Sequence, residues 1–101
     1  MKNIKLMPDY GCFALWDLDN LGDLNPQTLP IPERLKIRLD AWADTYQATL
    51  NEADPAESGF ETEALLRDFD AEGRRMWQEL RAELGSEYTV QYYSVLENTL
   101  L

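Results

Sequence analysis

The sequence predicts an α+β fold in which two amphipathic helices pack on a small sheet, with the elements in the order β-β-α-α-β. Two stretches of the chain have the three-and-four apolar spacing of helical faces, and residues near both ends alternate in the manner of strands. The chain has 101 residues, a length that supports one hydrophobic core but leaves too little for two. We therefore assign residues 1–101 to a single domain.

The N-terminal residues are expected to form a β-hairpin. Ile4 and Leu6 occupy alternate positions of the first strand, and residues 8–11, Pro-Asp-Tyr-Gly, have the composition of a tight turn. Residues 12–18 are predicted to form the returning strand, with one face made of Cys12, Ala14, Trp16 and Leu18. Residues 19–32 contain a glycine and three prolines, so a loop is expected to lead from the hairpin to the first helix.

Two helices are predicted after this loop. The first runs from Glu33 to about Leu50, and its apolar face consists of Leu35, Leu39, Trp42, Ala43, Tyr46 and Leu50. Residues 51–61 are expected to be a loop. The second helix runs from about Thr62 to Leu84, with an inward set of Leu65, Leu66, Phe69, Met76, Trp77, Leu80 and Leu84. Gly73, in its middle, indicates a kink or a close contact with the sheet or the other helix, and Gly85 suits a left-handed helix end.

The last predicted element is a strand from Tyr88 to Leu96, a segment rich in aromatic and β-branched residues. It has no local partner, so we expect it to pair with the N-terminal hairpin in one sheet. Tyr92 and Tyr93 are adjacent and must face opposite sides of that sheet. One tyrosine can therefore belong to the core, while the other is exposed or covered by a partner or by the second helix.

Residues that could support catalysis are scarce. The chain has no histidine, so the commonest general acid or base and the Ser-His and Cys-His nucleophile pairs are absent. Cys12, the single cysteine, lies among apolar residues and is predicted to be a small buried hydrophobe. No glycine-rich phosphate loop is present. The sequence therefore predicts no enzyme, no catalytic residue and no cofactor.

Residues 17–23 resemble the start of a calcium-binding EF-hand loop, because Asp17 and Asp19 are followed by Gly22 at the sixth position. However, Leu21 at the fifth position cannot ligate a cation, and Thr28 stands at the twelfth position, where a glutamate is required. We therefore predict no metal site. A solvated turn, in which the aspartates accept hydrogen bonds from nearby backbone N–H groups, is favoured instead.

The charge balance indicates the kind of partner. The chain carries 19 acidic and 9 basic residues, a net charge of −10. This charge repels phosphates, which argues against nucleic acid or an anionic membrane as a ligand and favours a basic partner. Solubility alone is the alternative explanation.

The acidic residues are not evenly spread. Residues 52–72 hold eight acids and one base, and Asp9 to Asp23 contains four acids and no base. The predicted partner-binding residues are Asp54, Glu57, Glu61 and Glu63, with a second patch of Asp17, Asp19 and Asp23. The basic start of the first helix, with Arg34, Lys36 and Arg38, is expected to lie outside the binding face.

The location of the protein is predicted to be cytoplasmic. No stretch has the layout of a signal peptide, and the longest purely apolar run is four residues, far short of a membrane span. A single cysteine agrees with a reducing compartment.

Several short segments carry a resemblance to a known group of proteins. They are Met7-Pro8-Asp9-Tyr10-Gly11-Cys12, Leu29-Pro30, Trp42-Ala43-Asp44-Thr45-Tyr46, Thr49-Leu50-Asn51, Asp54-Pro55, Ser58-Gly59-Phe60 and Glu83-Leu84-Gly85. In these segments the chain resembles small acidic bacterial immunity proteins of polymorphic toxin and contact-dependent growth inhibition systems. The segments are turns, helix cores and caps, so the resemblance assigns no partner-binding residue.

The resemblance implies a protein that binds and neutralises a cognate toxin domain. Many such toxins are basic nucleases, and an acidic inhibitor could occupy a phosphate-binding cleft with complementary charge. The alternative is a small acidic adaptor or nucleic-acid mimic that binds another basic cytosolic protein. Neither the identity of the toxin nor the oligomeric state follows from the sequence.

Overall fold

The computed structural model, which describes residues 1–101, has two helices packed on a mixed five-stranded sheet. The strands lie in the order β3-β2-β1-β4-β5. Neighbouring strands are antiparallel except for the central β1–β4 pair, which is parallel. The elements are β1 (Lys2–Leu6), β2 (Leu15–Asp17), β3 (Gly22–Leu24), α1 (Glu33–Gln47), α2 (Glu63–Leu84), β4 (Tyr88–Ser94) and β5 (Thr99–Leu100).

The register of the central strands sets the core. Ile4 lies opposite Val90, and Leu6 lies between Tyr92 in β4 and Leu15 in β2. All five side chains are buried, in one cluster with the inner faces of both helices. The predicted α+β fold and the pairing of the C-terminal strand with the hairpin are confirmed. The connection through α1 and α2 is long enough to bring β4 back parallel to β1.

The strand boundaries differ from the prediction in the first third of the chain. The second strand covers Leu15–Asp17, so Cys12 lies half-buried in the preceding turn and not in a strand. Trp16 faces the same side as Lys5, while Leu15 is in the core. Ala14 is also buried, which breaks the predicted alternation because the chain is not extended before β2.

The predicted loop over residues 19–32 contains a third strand and a short 3₁₀ turn, Pro26–Thr28. β3 is only three residues long, too short for a period-two pattern, and it forms because Leu24 pairs with Leu15. The C-terminal strand ends at Ser94, two residues before the predicted end. The chain then turns at Asn98, which has a positive φ of 52°, and returns as β5.

The two helices begin where their flanking residues predict. Pro32 is the N-cap of α1, and the Thr62 side chain caps α2 by accepting a hydrogen bond of 3.1 Å from the Leu65 N–H. α2 ends at Leu84, and the C-cap residue Gly85 has a φ of +66°. α1 ends at Gln47, before the predicted Leu50. Neither helix combines the length and apolar character needed to cross a membrane.

Gly73 allows α2 to approach both neighbouring layers. A Cβ at this position would lie 2.5 Å from the Tyr92 hydroxyl and 2.7 Å from Trp42 Cζ2. The predicted close contact is therefore confirmed, and it involves the sheet and α1 together. On the same side, Trp42 stacks on Phe69 with ring centroids 4.3 Å apart and donates its Nε1 hydrogen bond to the Phe69 carbonyl at 2.9 Å.

A buried carboxylate joins α2 to the sheet. Asp70 is 3% exposed and accepts hydrogen bonds from Tyr92 Oη at 2.7 Å, Ser94 Oγ at 2.8 Å and Arg74 Nε at 2.8 Å. Burial raises the pKa of Asp70, but these three donors outweigh it and leave the pKa below its ordinary value. Arg74 also contacts Glu97 at 2.7 Å, which ties the β4–β5 turn to α2.

Candidate interaction surface

A groove with a volume of about 490 Å³ lies between α1 and the first half of α2. Its floor is aromatic, and its two walls differ in chemistry. The α1 wall has small side chains, whereas the α2 wall and the open end carry carboxylates. The floor consists of Trp42, Phe60 and Phe69. The α1 wall consists of Ala41, Thr45 and Ala48. The opposite side consists of the carboxylates of Glu61, Asp68 and Glu72 together with Leu65.

The groove leaves apolar surface open to solvent. Leu65 was predicted to point inward, but its side chain is 49% exposed on the groove wall. Leu65 lies in the first turn of α2, beside the groove and outside the buried core cluster. Ile37, 61% exposed, lies one helical turn before Ala41 and continues the apolar wall of α1.

Arg38 closes one end of the groove and links the two helices. Its guanidinium lies 2.7 Å from Glu72 and 2.6 Å from Glu79, so it neutralises carboxylates on two successive turns of α2. These hydrogen bonds, with partial burial opposing them, raise the pKa of Arg38 above its ordinary value. Arg34 lies 3.7 Å from Glu83 farther along the same interface. Arg34 and Arg38 are therefore paired with carboxylates of α2, and only Lys36 of the basic group at the start of α1 forms no ion pair.

The other end of the groove is acidic and has no positive counterpart. Glu61 and Asp68 border the groove, and neither forms a salt bridge. Asp54 and Glu57 are exposed on the segment that leads into α2 and are also without a basic partner. Glu63 is exposed too, but it lies 3.0 Å from Arg67. Of these sequence-predicted residues, Glu61 lines the groove, and Asp54, Glu57 and Glu63 lie on the exposed chain on either side of it in the sequence.

The segment that carries these acids is held in place by polar side chains. The Asn51 Oδ1 atom accepts hydrogen bonds from the N–H groups of Ala53 and Asp54, at 3.1 and 3.0 Å. Ser58 Oγ accepts a bond of 2.8 Å from the Asn51 N–H, and the Gly59 N–H donates to the Thr49 carbonyl at 3.0 Å. The carboxylates of Asp54 and Glu57 take no part in this network, so the fold leaves them free.

The second predicted patch has a different chemistry. Asp17 accepts hydrogen bonds from Asn20 Nδ2 and the Asp19 N–H, and Asp19 accepts two from Asn3. The side-chain hydrogen bonds from Asn20 and Asn3 lower the pKa of Asp17 and of Asp19. Asp23 accepts from the Phe13 N–H at 3.0 Å. The predicted turn stabilised by aspartates is confirmed, and no group of three or more His, Cys, Asp or Glu side chains could hold a metal ion.

The second predicted patch is divided along β1: Asp17 and Asp19 lie near the start of this strand, whereas Asp23 lies beside the turn that follows it, where it accepts a hydrogen bond from the Phe13 N–H. Asp19 contacts Asn3, near the start of β1, whereas the groove end lies beside the turn that follows β1. At that turn, Tyr10 stacks on Tyr46 at 4.7 Å and its hydroxyl lies 2.8 Å from Thr49 Oγ1. Asp17 and Asp19 are therefore separated from the groove end by the length of β1.

A comparison with known protein families identifies the family of this chain. The Serratia CdiI immunity protein-like family matches residues 2–95, a span that contains β1 to β4 and both helices. The chain belongs to this family. No curated protein sequence matches it. It is thus an immunity protein of a contact-dependent growth inhibition system, as the resemblance of its short segments implied.

Sequence reasoning identified the acids of this immunity protein's groove only in part. Asp68 and Leu65 were not among the predicted partner-binding residues, yet both line the groove with Glu61. The missed signal is a stripe at helical spacing within α2, in which residues 65, 68 and 72 follow one another by three and four positions. Such a stripe is acidic apart from one leucine, which indicates a surface with both charge and apolar character.

The half-buried thiol of Cys12 has no neighbour that would activate it. Partial burial, together with the charges of Asp23 and Asp9, raises the pKa of the Cys12 thiol. A thiol with a raised pKa stays protonated at neutral pH and is a poor nucleophile. The surroundings of Cys12 therefore do not favour nucleophilic chemistry.

Proposed function

We propose that this immunity protein binds and neutralises the toxin domain of its own system through the acidic groove surface, defined as Asp54, Glu57, Glu61, Glu63 and Asp68 with the groove beside them. The observation that carries the proposal is the distribution of ion pairs. Every acidic residue of α2 from Asp70 onward has an arginine partner, whereas Asp54, Glu57, Glu61 and Asp68 have none.

Unpaired carboxylates favour a basic partner for a physical reason. Crowded like charges raise the free energy of the folded chain, and a partner that supplies positive charge relieves that repulsion. A nuclease must carry positive charge where it binds phosphate, so a nuclease toxin would present a complementary surface. We propose a basic nuclease domain as the partner, and the second acidic patch around Asp19 as a further contact only if the toxin is large enough to span β1.

The proposed mode of action is stoichiometric binding in the cytoplasm, without catalytic turnover and without direct contact with nucleic acid or membrane. Complementary charge accelerates capture, by about 10 to 1,000-fold at low ionic strength. Fast capture would neutralise an incoming toxin before it reaches its substrate. Inhibition should then be complete at one immunity protein per toxin domain and should not increase with time.

The test mixes the full-length immunity protein with the toxin domain of its own contact-dependent growth inhibition system. The variant Asp54→Lys/Glu57→Lys/Glu61→Lys should slow association more than tenfold at low salt, and the difference should shrink as salt is added. The fold should persist, because all three side chains are exposed and form no salt bridge.

The matched control changes the net charge by the same amount elsewhere. Glu33, Asp44 and Glu87 are also exposed and form no salt bridge, so Glu33→Lys/Asp44→Lys/Glu87→Lys should slow association by less than about threefold through the long-range field alone. Equal slowing by both triple variants would show that total charge matters and the surface does not. A wild-type chain that neither binds nor inhibits this domain would refute the proposed function.

A further inference from the structure

The groove between α1 and α2 is preformed and rigid. Trp42 and Phe69 stack almost parallel, at an interplanar angle of 4°, and Phe60 packs against Phe69 with centroids 5.0 Å apart. The indole N–H of Trp42 is also fixed by its bond to the Phe69 carbonyl. An occupant of the groove would therefore meet a fixed apolar floor and lose little affinity to ordering of the protein.

The acidic rim would be costly to bury against an apolar occupant. Asp68 and Glu61 are charged, and covering them without a positive partner would remove their hydration with no compensation. A second copy of this chain is also a poor occupant, since each copy carries a net charge of −10. The occupant must combine an apolar portion for the floor and a positive group for the rim.

An arginine or lysine side chain has this combination. Its methylene stem packs on apolar surface while its head remains available for carboxylates. The molecule contains an internal example at the end of the same groove, where Arg38 is held by Glu72 and Glu79. Arg38 satisfies Glu72, which leaves Asp68 and Glu61 as the carboxylates available to a cation from outside.

We infer that the groove is the anchor site of the complex, and that it takes one arginine or lysine side chain of the toxin domain, with the stem against Leu65 and the aromatic floor and the charged head at Asp68. The inference rests on the proposed function, which it deepens by separating two roles. The exposed acids of the 51–63 segment govern the rate of capture, whereas the groove governs the rate of dissociation.

The experiment measures association and dissociation rates between the full-length protein and the toxin domain of its own system. Leu65→Ala and Asp68→Asn should each raise the dissociation rate about tenfold, as expected for a truncated anchor, and change the association rate by less than about threefold. Both side chains are exposed and neither supports the fold, and circular dichroism would verify that the helices persist.

The matched controls are Leu100→Ala and Glu87→Gln. Leu100 is 47% exposed, close to the 49% of Leu65, and lies on the far edge of the sheet. Neither control should change the dissociation rate by more than about twofold, because surface positions outside an interface are close to neutral.

A double-mutant cycle identifies the occupant. Asp68→Asn is combined with alanine substitutions at the arginines and lysines of the toxin domain, and one of them should lose most of its effect in the Asp68→Asn background. If the toxin binds but Leu65→Ala and Asp68→Asn behave like the controls, the anchor site is wrong while the proposed function stands. If Leu100→Ala speeds dissociation instead, the toxin is anchored on the uncovered face of the sheet. If the wild-type chain does not bind the domain, both proposals fail.

Discussion

The two parts of α2 use the same residue types for opposite purposes. From Asp70 to Leu84, each carboxylate of the helix faces an arginine of α1 or of α2 itself, and one of them is buried. In the first turns of α2 and just before them, Asp68 and Glu61 border an open groove, and the only salt bridge joins Glu63 to Arg67 on the surface. The negative charge of one part is neutralised within the fold, and that of the other is left for a partner.

The difference shows that a carboxylate acquires its role from its surroundings. Asp68 and Asp70 are two positions apart, so they point to different sides of the helix. Asp70 faces the sheet, where two hydroxyls and a guanidinium donate to it, and Asp68 faces the groove, where none does. Loss of Asp70 should therefore affect stability, and loss of Asp68 should affect recognition.

The largest effect on stability is expected for Asp70→Ala. This change leaves the buried hydroxyls of Tyr92 and Ser94 without their carboxylate acceptor and removes one of the two carboxylates that Arg74 contacts. We expect the free energy of unfolding to fall by about 3 kcal/mol, in the range for breaking a buried charged network. Urea unfolding at pH 7 measures this loss. Asp68→Ala, two positions away, should cost less than about 0.5 kcal/mol.

The pH dependence of the unfolding free energy tests the hydrogen-bond network of Asp70 independently. The folded-state pKa of Asp70 is lowered, so its stabilising contribution is fully present above the unfolded-state pKa of about 3.9 and is lost as the pH falls through the folded value. The wild-type protein should therefore lose more stability between pH 5 and pH 3 than Asp70→Asn does. Equal losses in the two proteins would mean that other carboxylates control acid unfolding.

The sequence predicted the parts of this architecture that depend on local patterns. Both helices have apolar residues at helical spacing, and β4 is long enough to show its β-branched and aromatic character, so these elements were found within a few residues of their ends. β3 and β5 have three and two residues and form only because a neighbouring strand offers hydrogen bonds. A pattern of period two cannot be detected over so few positions.

The sequence predicted that the site is acidic, but it did not predict which of its acids form ion pairs within the fold. The acid-dense stretch from residue 52 to 72 includes Asp70 and Glu72, and the sequence alone does not distinguish these acids from the unpaired ones. Asp70 accepts hydrogen bonds from hydroxyls 22 and 24 positions away, and Glu72 pairs with Arg38, which is 34 positions earlier. Such pairings depend on how helices and strands pack, and no local spacing reveals them. The acids of the 51–61 segment were predicted correctly as exposed because the segment is short, polar and flanked by turn residues.

A smaller effect on stability is expected for Arg38→Ala, which removes the link between α1 and α2. The side chains of Arg38, Glu72 and Glu79 are 32 to 39% exposed, so solvent screens the two ion pairs. We expect a loss of about 1 kcal/mol, at the upper end for partly exposed ion pairs because one arginine serves two carboxylates. The control is Lys36→Ala on the same helix, which forms no ion pair and should leave the unfolding free energy nearly unchanged. A smaller loss for Arg38→Ala than for Lys36→Ala would show that the paired part of α2 is not stabilised by its arginines.

The smallest effect on stability is expected where the acids are unpaired. The variant Glu52→Gln/Asp54→Asn/Glu57→Gln removes three charges from the 51–61 segment but preserves the size of each side chain. Asp54 stands at the N-cap of the Pro55–Glu57 turn without a side-chain capping bond, so no hydrogen bond of the fold is lost there. We expect the free energy of unfolding to change by less than about 0.5 kcal/mol, and to increase at low salt because repulsion among the acids decreases. Urea unfolding at two salt concentrations measures both quantities. A clear loss of stability would mean that these carboxylates support the fold after all, and the contrast between the two parts of α2 and its neighbouring segment would then no longer separate structure from recognition.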